Sequence, residues 1–345
     1  MRPFRLLFLL CIISNGVYAQ APADREYLDV SIRVFDVNVS ADTSVLHQRV
    51  YPEVRSAEAR YIPAWLQLKL IDSDTWGAVR LLPAADTGAE LSISGKIIAS
   101  DGRRLGIEVI ASDSTGRTWL NKVYSGEATE NAALRHPELG PEPFDPLYEE
   151  ILRDLAALYA SLSPAQINQI KVLAQLKYAA SLSPEIFSPY FNVDENGVYD
   201  ITRLPAQNDP NMQRIRDVRE HEYLFIDVVN EKYYSFFVNI KPVYDLWRSY
   251  RRQQQADETY VRGLKADNDY KLRRGSYWAL RESYDNYRWV KMEQQYLDDL
   301  QERFRNEIQS TDITLKDSLY RLNGALADQY AQWKKILKEL YELEK

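Results

Sequence analysis

Histidine is the side chain best suited to metal binding and proton transfer near neutral pH, and the chain contains three: His47, His136 and His221. His221 lies between Glu220 and Glu222, an arrangement that suggests a metal site. The zinc-binding helix motif requires a second histidine four residues further on, and that position holds phenylalanine. Adjacent helical residues also point in different directions, so both glutamates cannot join the histidine on one face. We interpret these three residues as a solvated charged turn and predict no metal ligand among them.

Asp194-Glu195-Asn196-Gly197 weakly resembles the start of a calcium-binding loop. Counting from Asp194, the fifth position is Val198 and the twelfth is Pro205, where such a loop needs an oxygen ligand and a glutamate. An Asn-Gly turn is therefore favoured. The chain also lacks a Gly-rich phosphate loop and the G-x-S-x-G motif of serine hydrolases. The sequence thus offers no catalytic, cofactor-binding or metal-binding residue, although a pair of glycosidase carboxylates would depend on geometry that spacing does not reveal.

Residues 1–19 have the three-part pattern of a cleavable secretory signal peptide. Arg2 and Arg5 precede the apolar stretch 6–13, and small side chains at 17 and 19 predict cleavage before Gln20. The apolar stretch is less than half of the ~20 residues that a transmembrane helix requires. We therefore expect an exported protein that resides in the periplasm.

Cys11 is the one cysteine of the chain and lies inside the apolar part of this leader. Lipoprotein processing requires a small residue before the modified cysteine, and Leu10 stands there, so we expect no lipid anchor. Cleavage would leave a mature protein without thiols, which excludes disulfides, thiolate catalysis and cysteine–zinc sites. An exported protein without disulfides fits the bacterial envelope.

The charge balance argues against nucleic acid as a partner. The chain has 43 Lys and Arg residues against 50 Asp and Glu residues, and loss of the leader makes the net charge more negative than −7. Phosphate binding needs a basic surface instead. No segment after the leader is apolar enough to cross a membrane. The 24 Tyr and 7 Trp residues are concentrated in the C-terminal half, where they suit both irregular cores and partner surfaces.

Residues 25–162 predict a domain that combines a mixed sheet with packed helices. The first strand, Tyr27–Val39, alternates polar and apolar residues with a phase slip that indicates a bulge. A helix over Glu53–Leu70 follows, and Pro63 inside it predicts a kink or a later start. Asp101-Gly102 predicts a tight hairpin turn. The remaining elements are strands over Trp76–Leu82, Glu90–Ser100, Leu105–Ser112 and Thr118–Tyr124 and an amphipathic helix over Phe144–Leu162.

This order of elements, together with Ala89–Ile97 (AELSISGKI) and Ala111–Trp119 (ASDSTGRTW), resembles the small α/β domain of certain bacterial envelope proteins. That group includes the curli-secretion lipoprotein, the activator lipoproteins of penicillin-binding proteins and the N-terminal domain of TolB. The resemblance covers Tyr27–Ser161, under half of the chain. It implies non-enzymatic work, such as binding a partner protein or assembling an envelope complex.

Residues 163–345 predict long helices. Ser163-Pro164 and Ser183-Pro184 each have the order that starts a helix, and the first predicts a helix over Pro164–Ala180. A long helix is expected from near Asn211 past Gln255, with a kink or break at its Pro242. Two further helical regions are expected over Lys265–Gln309 and Ile313–Glu344.

Two surfaces of these helices are candidates for association. An aromatic stripe forms either bundle core or a surface for a partner or a glycan, and its residues are Tyr270, Tyr277, Tyr284, Tyr287 and Trp289. Heptad spacing in the last helix predicts a coiled-coil or antiparallel-bundle seam that would allow self-association. The seam residues are Leu319, Leu322, Leu326, Trp333, Ile336, Leu340 and Leu343.

The sequence therefore predicts an α+β fold, with an N-terminal mixed β-sheet and packed helices followed by an α-helical bundle or long helical hairpin. The favoured function is that of a non-enzymatic periplasmic scaffold or accessory protein without a cofactor. It would bind an envelope protein and could form a homo-oligomer. The alternative is a cell-envelope glycan-binding protein or hydrolase with an acidic, aromatic cleft between the two halves.

Overall fold

The computed structural model describes residues 27–37, 52–129, 137–206, 208–266, 310–315 and 318–343, together with 291, 294–296, 298–299 and 302. It has the predicted α+β class, with a six-stranded mixed sheet in the N-terminal half and a long helix in the C-terminal half. The elements of the N-terminal half are β1 (Val30–Arg33), β2 (Asp36–Val37), α1 (Pro52–Asp72), β3 (Val79–Leu82), β4 (Leu91–Ser100), β5 (Arg104–Asp113), β6 (Thr118–Glu127) and α2 (Asp145–Ala160).

The strands lie in the order β3-β1-β4-β5-β6, and the short β2 also pairs with β4. The pairs of β1 with β3 and with β4 are parallel, and Ile32 lies opposite both Leu81 and Ile93. The connection through α1 makes a parallel pair possible, because parallel neighbours need a crossover. The β4–β5 and β5–β6 hairpins are antiparallel. Gly102 has a φ of +85° in the predicted turn between β4 and β5, a conformation that favours glycine.

The phase slip predicted in the first strand has a specific cause in α1. Pro63 lies inside this helix without interrupting it, but proline has no N–H to donate to the carbonyl four residues earlier, that of Ala59. The backbone N–H of Phe35 donates to this carbonyl at 2.9 Å. The Val34 N–H still donates to the Leu82 carbonyl of β3 at 3.0 Å, so the chain turns from the sheet towards α1 at Phe35, between β1 and β2.

One face of the sheet packs on α1 and α2. The buried side chains of β4 and β5 alternate with partly exposed ones, as half-buried strands require. The core on this side includes Tyr61, Trp65 and Leu66 of α1 and Leu147, Ile151 and Leu155 of α2.

The C-terminal half contains α3 (Pro164–Leu182), α4 (Pro184–Phe187), β7 (Phe191–Val193), β8 (Tyr199–Ile201), α5 (Pro210–Ala266), β9 (Thr311–Leu315), β10 (Ser318–Leu322) and α6 (Leu326–Leu343). Ser163 and Gln166 form a capping box at the start of α3. The second Ser-Pro pair starts a single turn only. The Asn-Gly turn is confirmed between β7 and β8, where Gly197 has a φ of +78°. Helix α5 continues through Pro242 without the predicted break.

The prediction of a continuous helix from Ile313 was wrong. The segment forms the antiparallel hairpin β9–β10, and α6 begins only at Leu326. Along β9 the side chains alternate between buried and exposed, and β-branched residues such as Ile313 favour this pleated conformation. Gly324, with a φ of +90°, then turns the chain into α6.

The two halves share one hydrophobic core, in which α5 packs against α1 and β3, and α6 packs against α5. The β7–β8 hairpin also joins the halves, because the Tyr199 N–H donates to the Thr115 carbonyl at 2.7 Å. A side chain at Gly116 would lie 2.2 Å from the Gly197 carbonyl oxygen, so only glycine fits at this junction. The domain boundary near Ser163 stays a prediction. Within the described residues, none of the helices has both the length and the apolar character needed to cross a membrane.

Candidate functional site

The two edges of the sheet differ in what covers their backbone. At the β3 edge, the Asn230 side chain of α5 accepts a hydrogen bond from the Leu81 N–H at 2.8 Å. The same Asn230 oxygen accepts from the Gln67 amide at 2.7 Å, and Gln67 also donates to the Val79 carbonyl at 2.9 Å. Side chains thus satisfy outward backbone groups of β3, and we call this the capped edge.

The opposite edge is the ten-residue strand β6, which we call the open edge. The Ala128 N–H donates to the Arg103 carbonyl at 2.7 Å just beyond the strands. Because hydrogen-bonded and non-bonded pairs alternate in an antiparallel ladder, Asn121, Val123 and Ser125 then direct their N–H and C=O groups away from β5. No other described residue hydrogen-bonds to these outward groups. Unpaired backbone of this kind is a template for another strand.

The face of the sheet that does not pack on α1 and α2 continues from this edge, and we call it the open face. Three aliphatic side chains lie on it: Val123 is 57% exposed, Ile98 48% and Ile110 37%. In register, Ile110 lies between Ser94 and Asn121 on the neighbouring strands. The open face is therefore a mixed polar and aliphatic surface beside unpaired backbone.

A pocket of about 290 Å³ lies between the halves, and we call it the inter-half pocket. Its N-terminal wall comes from the starts of β1 and β4 and its C-terminal wall from α3 and α5. The lining residues used below are Asp29, Glu90, Tyr178, Arg216, Arg219 and Tyr223. This lining is mixed in charge, whereas the sequence suggested an acidic cleft.

Arg219 organises the wall formed by α5. Its guanidinium donates two hydrogen bonds to Asp86, at 2.6 and 3.0 Å, and one to Glu222 at 2.8 Å. Glu222 also accepts from the Tyr330 hydroxyl at 2.7 Å. Burial alone would raise the pKa of Asp86, but the Arg219 guanidinium outweighs burial and holds this pKa below its ordinary value. We call Asp86, Arg219, Glu222 and Tyr330 the Arg219 cluster. Within it the Arg219 guanidinium donates hydrogen bonds to both carboxylates.

The aromatic rings of the pocket contact this cation. The Arg219 guanidinium lies 4.5 Å from the ring centre of Tyr178 and 4.7 Å from that of Tyr223. The Arg80 guanidinium lies 4.1 Å from the Tyr223 ring centre as well. These cation–π contacts already engage the rings that a sugar would use for stacking.

The two carboxyl groups of the pocket differ in their partners. Asp29 accepts from the Ala78 N–H at 2.8 Å and from the Arg80 guanidinium at 2.9 Å, so both of its oxygens are occupied. Glu90 accepts from the Asp29 N–H at 2.8 Å through Oε2. Burial raises the pKa of Glu90, and the nearby Asp29 charge adds to that effect. Its Oε1 has no hydrogen-bond donor among the described residues.

A second charged group, which we call the Arg248 cluster, has an enclosed Arg248–Glu142 pair and a partly exposed Asp245. Arg248 of α5 forms a bidentate pair with Glu142, at 2.6 and 3.0 Å, and a further ion pair with Asp245. Tyr61 of α1 donates to Glu142 at 2.7 Å. Arg248 and Glu142 are each only 1% exposed. Burial favours a higher pKa for Glu142, but the Arg248 guanidinium outweighs burial and lowers it.

A further space of about 520 Å³ lies where the β5–β6 turn meets α3 and the β7–β8 hairpin. Asp113 lines it, but this carboxylate already accepts from the Trp119 indole at 2.7 Å and from the Thr115 N–H at 2.8 Å. These contacts assign it to the junction of the two halves.

Among the predicted site residues, those of the seam that the structure describes do not form one surface. The aromatic stripe, Tyr270, Tyr277, Tyr284, Tyr287 and Trp289, lies outside the described residues, as do His47 and His136. Of the predicted seam, Leu319 and Leu322 lie on the strand β10, and Leu343 is 83% exposed. Leu326 and Trp333 are buried on α6, while Ile336 and Leu340 are partly buried. Tyr330, Leu337 and Tyr341 complete the buried face of this helix, which packs against α5 of the same chain.

The interpretation of residues 220–222 as a solvated turn was wrong. They lie inside α5, and Glu222 is completely buried because Arg219 and Tyr330 supply its hydrogen bonds. The His221 carbonyl accepts from the Trp333 indole at 3.3 Å. Within the described part of the chain, no group of three metal-binding side chains comes together.

Sequence reasoning missed the charged residues of α5, although a signal was present. Four charged residues, Glu222, Lys241, Arg248 and Arg251, occupy positions in the buried stripe of α5 whose other members are apolar or aromatic. A charge in such a stripe indicates a buried partner. The sequence matches no family model, and no curated protein or solved structure matches the chain.

Proposed function

We propose that this protein is a non-enzymatic scaffold or accessory protein of the bacterial envelope that binds a partner protein along the open edge of its sheet. The observation that supports this most directly is the contrast between the two edges. Side chains of α1 and α5 cap β3, whereas no described residue pairs with the outward backbone of β6. Natural proteins usually protect long edge strands, so an unprotected one indicates a use.

The binding mode that fits is strand addition. An extended segment of the partner would hydrogen-bond to the outward groups of Asn121, Val123 and Ser125. Alternate side chains of that segment would lie over the open face, where Val123 and Ile110 offer aliphatic surface. Backbone bonds would provide affinity, and these side-chain contacts would provide selectivity.

The proposed location in the periplasm depends on the leader and on the absence of any cysteine after it. The resemblance to envelope domains that bind partner proteins supports the same proposal. The alternative of a glycan-binding protein or hydrolase has less support, because guanidinium groups engage the pocket's tyrosines and the Asp29 oxygens are both occupied.

Photo-crosslinking in the native bacterium tests the proposal. A benzophenone amino acid at Ser125 should give an adduct of one defined mass, because its backbone neighbours would pair with the partner. The control is the same probe at Lys335, an exposed residue of α6. Val123→Pro removes one outward N–H donor and should abolish the Ser125 adduct while the circular dichroism spectrum stays unchanged. An adduct that persists in this variant, or one that also forms from position 335, would contradict strand addition.

Location is tested separately. Cell fractionation should place the protein in the periplasm, and N-terminal sequencing of the purified protein should begin at Gln20. A cytoplasmic protein that retains Met1 would refute the export proposal without affecting the binding surface.

A further inference from the structure

The inter-half pocket has the dimensions of a site for a small molecule. Ligand pockets usually measure about 300–1,000 Å³, and this one, at about 290 Å³, lies at the lower end. Its walls come from both halves and combine charged groups with the apolar side chains of Val172, Ala174 and Ile215. A ligand of this size would carry only a few polar groups.

Most charged groups in the wall are already satisfied by the protein. Arg219 is neutralised by Asp86 and Glu222, and Asp29 is held by Arg80 and a backbone N–H. Such groups shape the pocket but have little left to offer a ligand. Recognition then depends on the polar groups that retain capacity.

Glu90 is the acceptor with remaining capacity. Its Oε2 holds the Asp29 N–H, and its Oε1 has no donor among the described residues. Burial raises the pKa of this carboxyl, although the positive charges of Lys171 and Arg80 act against the rise. An ammonium group placed against Oε1 would supply both the missing hydrogen bond and a compensating charge.

Arg216 is the charged donor for which the structure shows remaining capacity. It lies exposed at the pocket, one helical turn from Arg219, and donates to Gln213 at 2.6 Å through Nη2 only. Its planar guanidinium keeps further N–H groups that match the geometry of a carboxylate. Lys171 also lines the pocket, and its positive charge would favour an anionic group there.

We propose that the inter-half pocket binds a small zwitterion, namely a free amino acid or a dipeptide. The ligand's ammonium group lies against Glu90 and its carboxylate against Arg216. The proposal is independent of strand addition at the open edge, since β6 contributes no residue to the lining of this pocket.

Titration calorimetry on the purified protein with alanylalanine tests this inference. We expect measurable binding at millimolar concentration and about tenfold weaker binding of either blocked form, N-acetyl-alanylalanine or alanylalanine amide, because each loses one charge-assisted hydrogen bond. N-acetylglucosamine serves as the neutral sugar probe. Absence of heat with the dipeptide, equal binding of the blocked forms, or binding of the sugar in its place would each overturn the proposal.

Two substitutions assign the ends of the ligand. Glu90→Gln should weaken the dipeptide about tenfold without changing the affinity for its N-acetyl form, which has no ammonium group. Arg216→Ala should weaken the dipeptide similarly without affecting the amide. Exposed controls are Glu195→Gln in the β7–β8 turn and Arg153→Ala on α2. If a variant loses affinity for every form of the ligand equally, the assignment of the two ends is contradicted. If a variant does not fold, the comparison of the dipeptide with its blocked forms on the unaltered protein still decides the proposal.

Discussion

Two arginines of helix α5 each form an ion pair with a carboxylate of the N-terminal half, and the two pairs differ in their surroundings. Arg248 and its partner Glu142 are each 1% exposed. The Arg219 side chain, which pairs with Asp86, is 13% exposed and lies beside a pocket. Both pairs lower the pKa of a buried carboxyl, so the local chemistry is the same. The difference teaches that water access, more than hydrogen-bond geometry, should decide how much each pair matters for stability.

The largest effect is expected at the enclosed pair. Arg248→Ala should lower the free energy of unfolding by about 3–5 kcal/mol, because it leaves Glu142 buried without its cation. Urea denaturation followed by circular dichroism measures this, with the exposed Arg153→Ala as the control, expected within about 0.5 kcal/mol of the parent protein. Replacing both members together, as Arg248→Met with Glu142→Leu, should recover most of the loss, since no buried charge is then left unpaired. A loss below about 1 kcal/mol in Arg248→Ala would show that water reaches Glu142.

Arg219→Ala should lower the free energy of unfolding by less, about 2 kcal/mol, because Arg219 lines the pocket and its truncation would let pocket water reach the buried Asp86 and Glu222 carboxylates. The same urea measurement applies. If Arg219→Ala lowers the free energy of unfolding as much as Arg248→Ala does, the two pairs do not differ in water access and the Arg219 cluster is closed to water.

Two tyrosines provide a finer version of the comparison. Tyr61 donates to Glu142 and Tyr330 donates to Glu222, each at 2.7 Å. Tyr61→Phe and Tyr330→Phe should each lower the free energy of unfolding by about 1–2 kcal/mol, because each leaves a buried carboxylate with one donor fewer. A clearly smaller loss in Tyr330→Phe, measured by chemical denaturation, would show that pocket water reaches Glu222.

The smallest effects concern pH. Glu142 and Asp86 have lowered pKa values, so their stabilisation is complete above the ordinary values of 4.5 and 3.8 and is lost as pH falls below them. Glu90 has a raised pKa and acts in the opposite sense: it favours folding at low pH, and this contribution is lost as pH rises through 4.5 towards its folded value. Between pH 7 and 3 the free energy of unfolding, measured by denaturation, should fall less steeply in Glu142→Gln than in the unaltered protein. In Glu90→Gln it should fall more steeply. Parallel curves for all three proteins would refute these assignments.

The sequence predicted the fold class and most strands because alternation and turn residues are local signals. Asp101-Gly102 and Asn196-Gly197 marked their turns, and Ser163-Pro164 marked the start of α3. The β9–β10 hairpin was missed because leucines at heptad spacing extend backwards into it. Leu319 fits that spacing yet is 65% exposed on a strand.

The candidate site could not be predicted in the same way. Arg219 lies 133 residues from Asp86 along the chain, and Arg248 lies 106 residues from Glu142. Many carboxylates could have served as partners, and spacing along the chain does not select among them. Likewise, whether a strand lies at a capped or an open edge follows from strand order, which depends on tertiary packing rather than on the local pattern.

The carbonyl of Ala59 also couples two positions that are distant in sequence, Pro63 and Phe35. Proline at 63 frees this acceptor from its own helix, and the N–H of Phe35 takes it over. A residue with an N–H at 63 would direct a second donor at the same oxygen, so the Phe35 bond would have to be shared and should weaken. A substitution at 63 should therefore be felt first in the segment around Phe35, although the two positions are 28 residues apart in sequence.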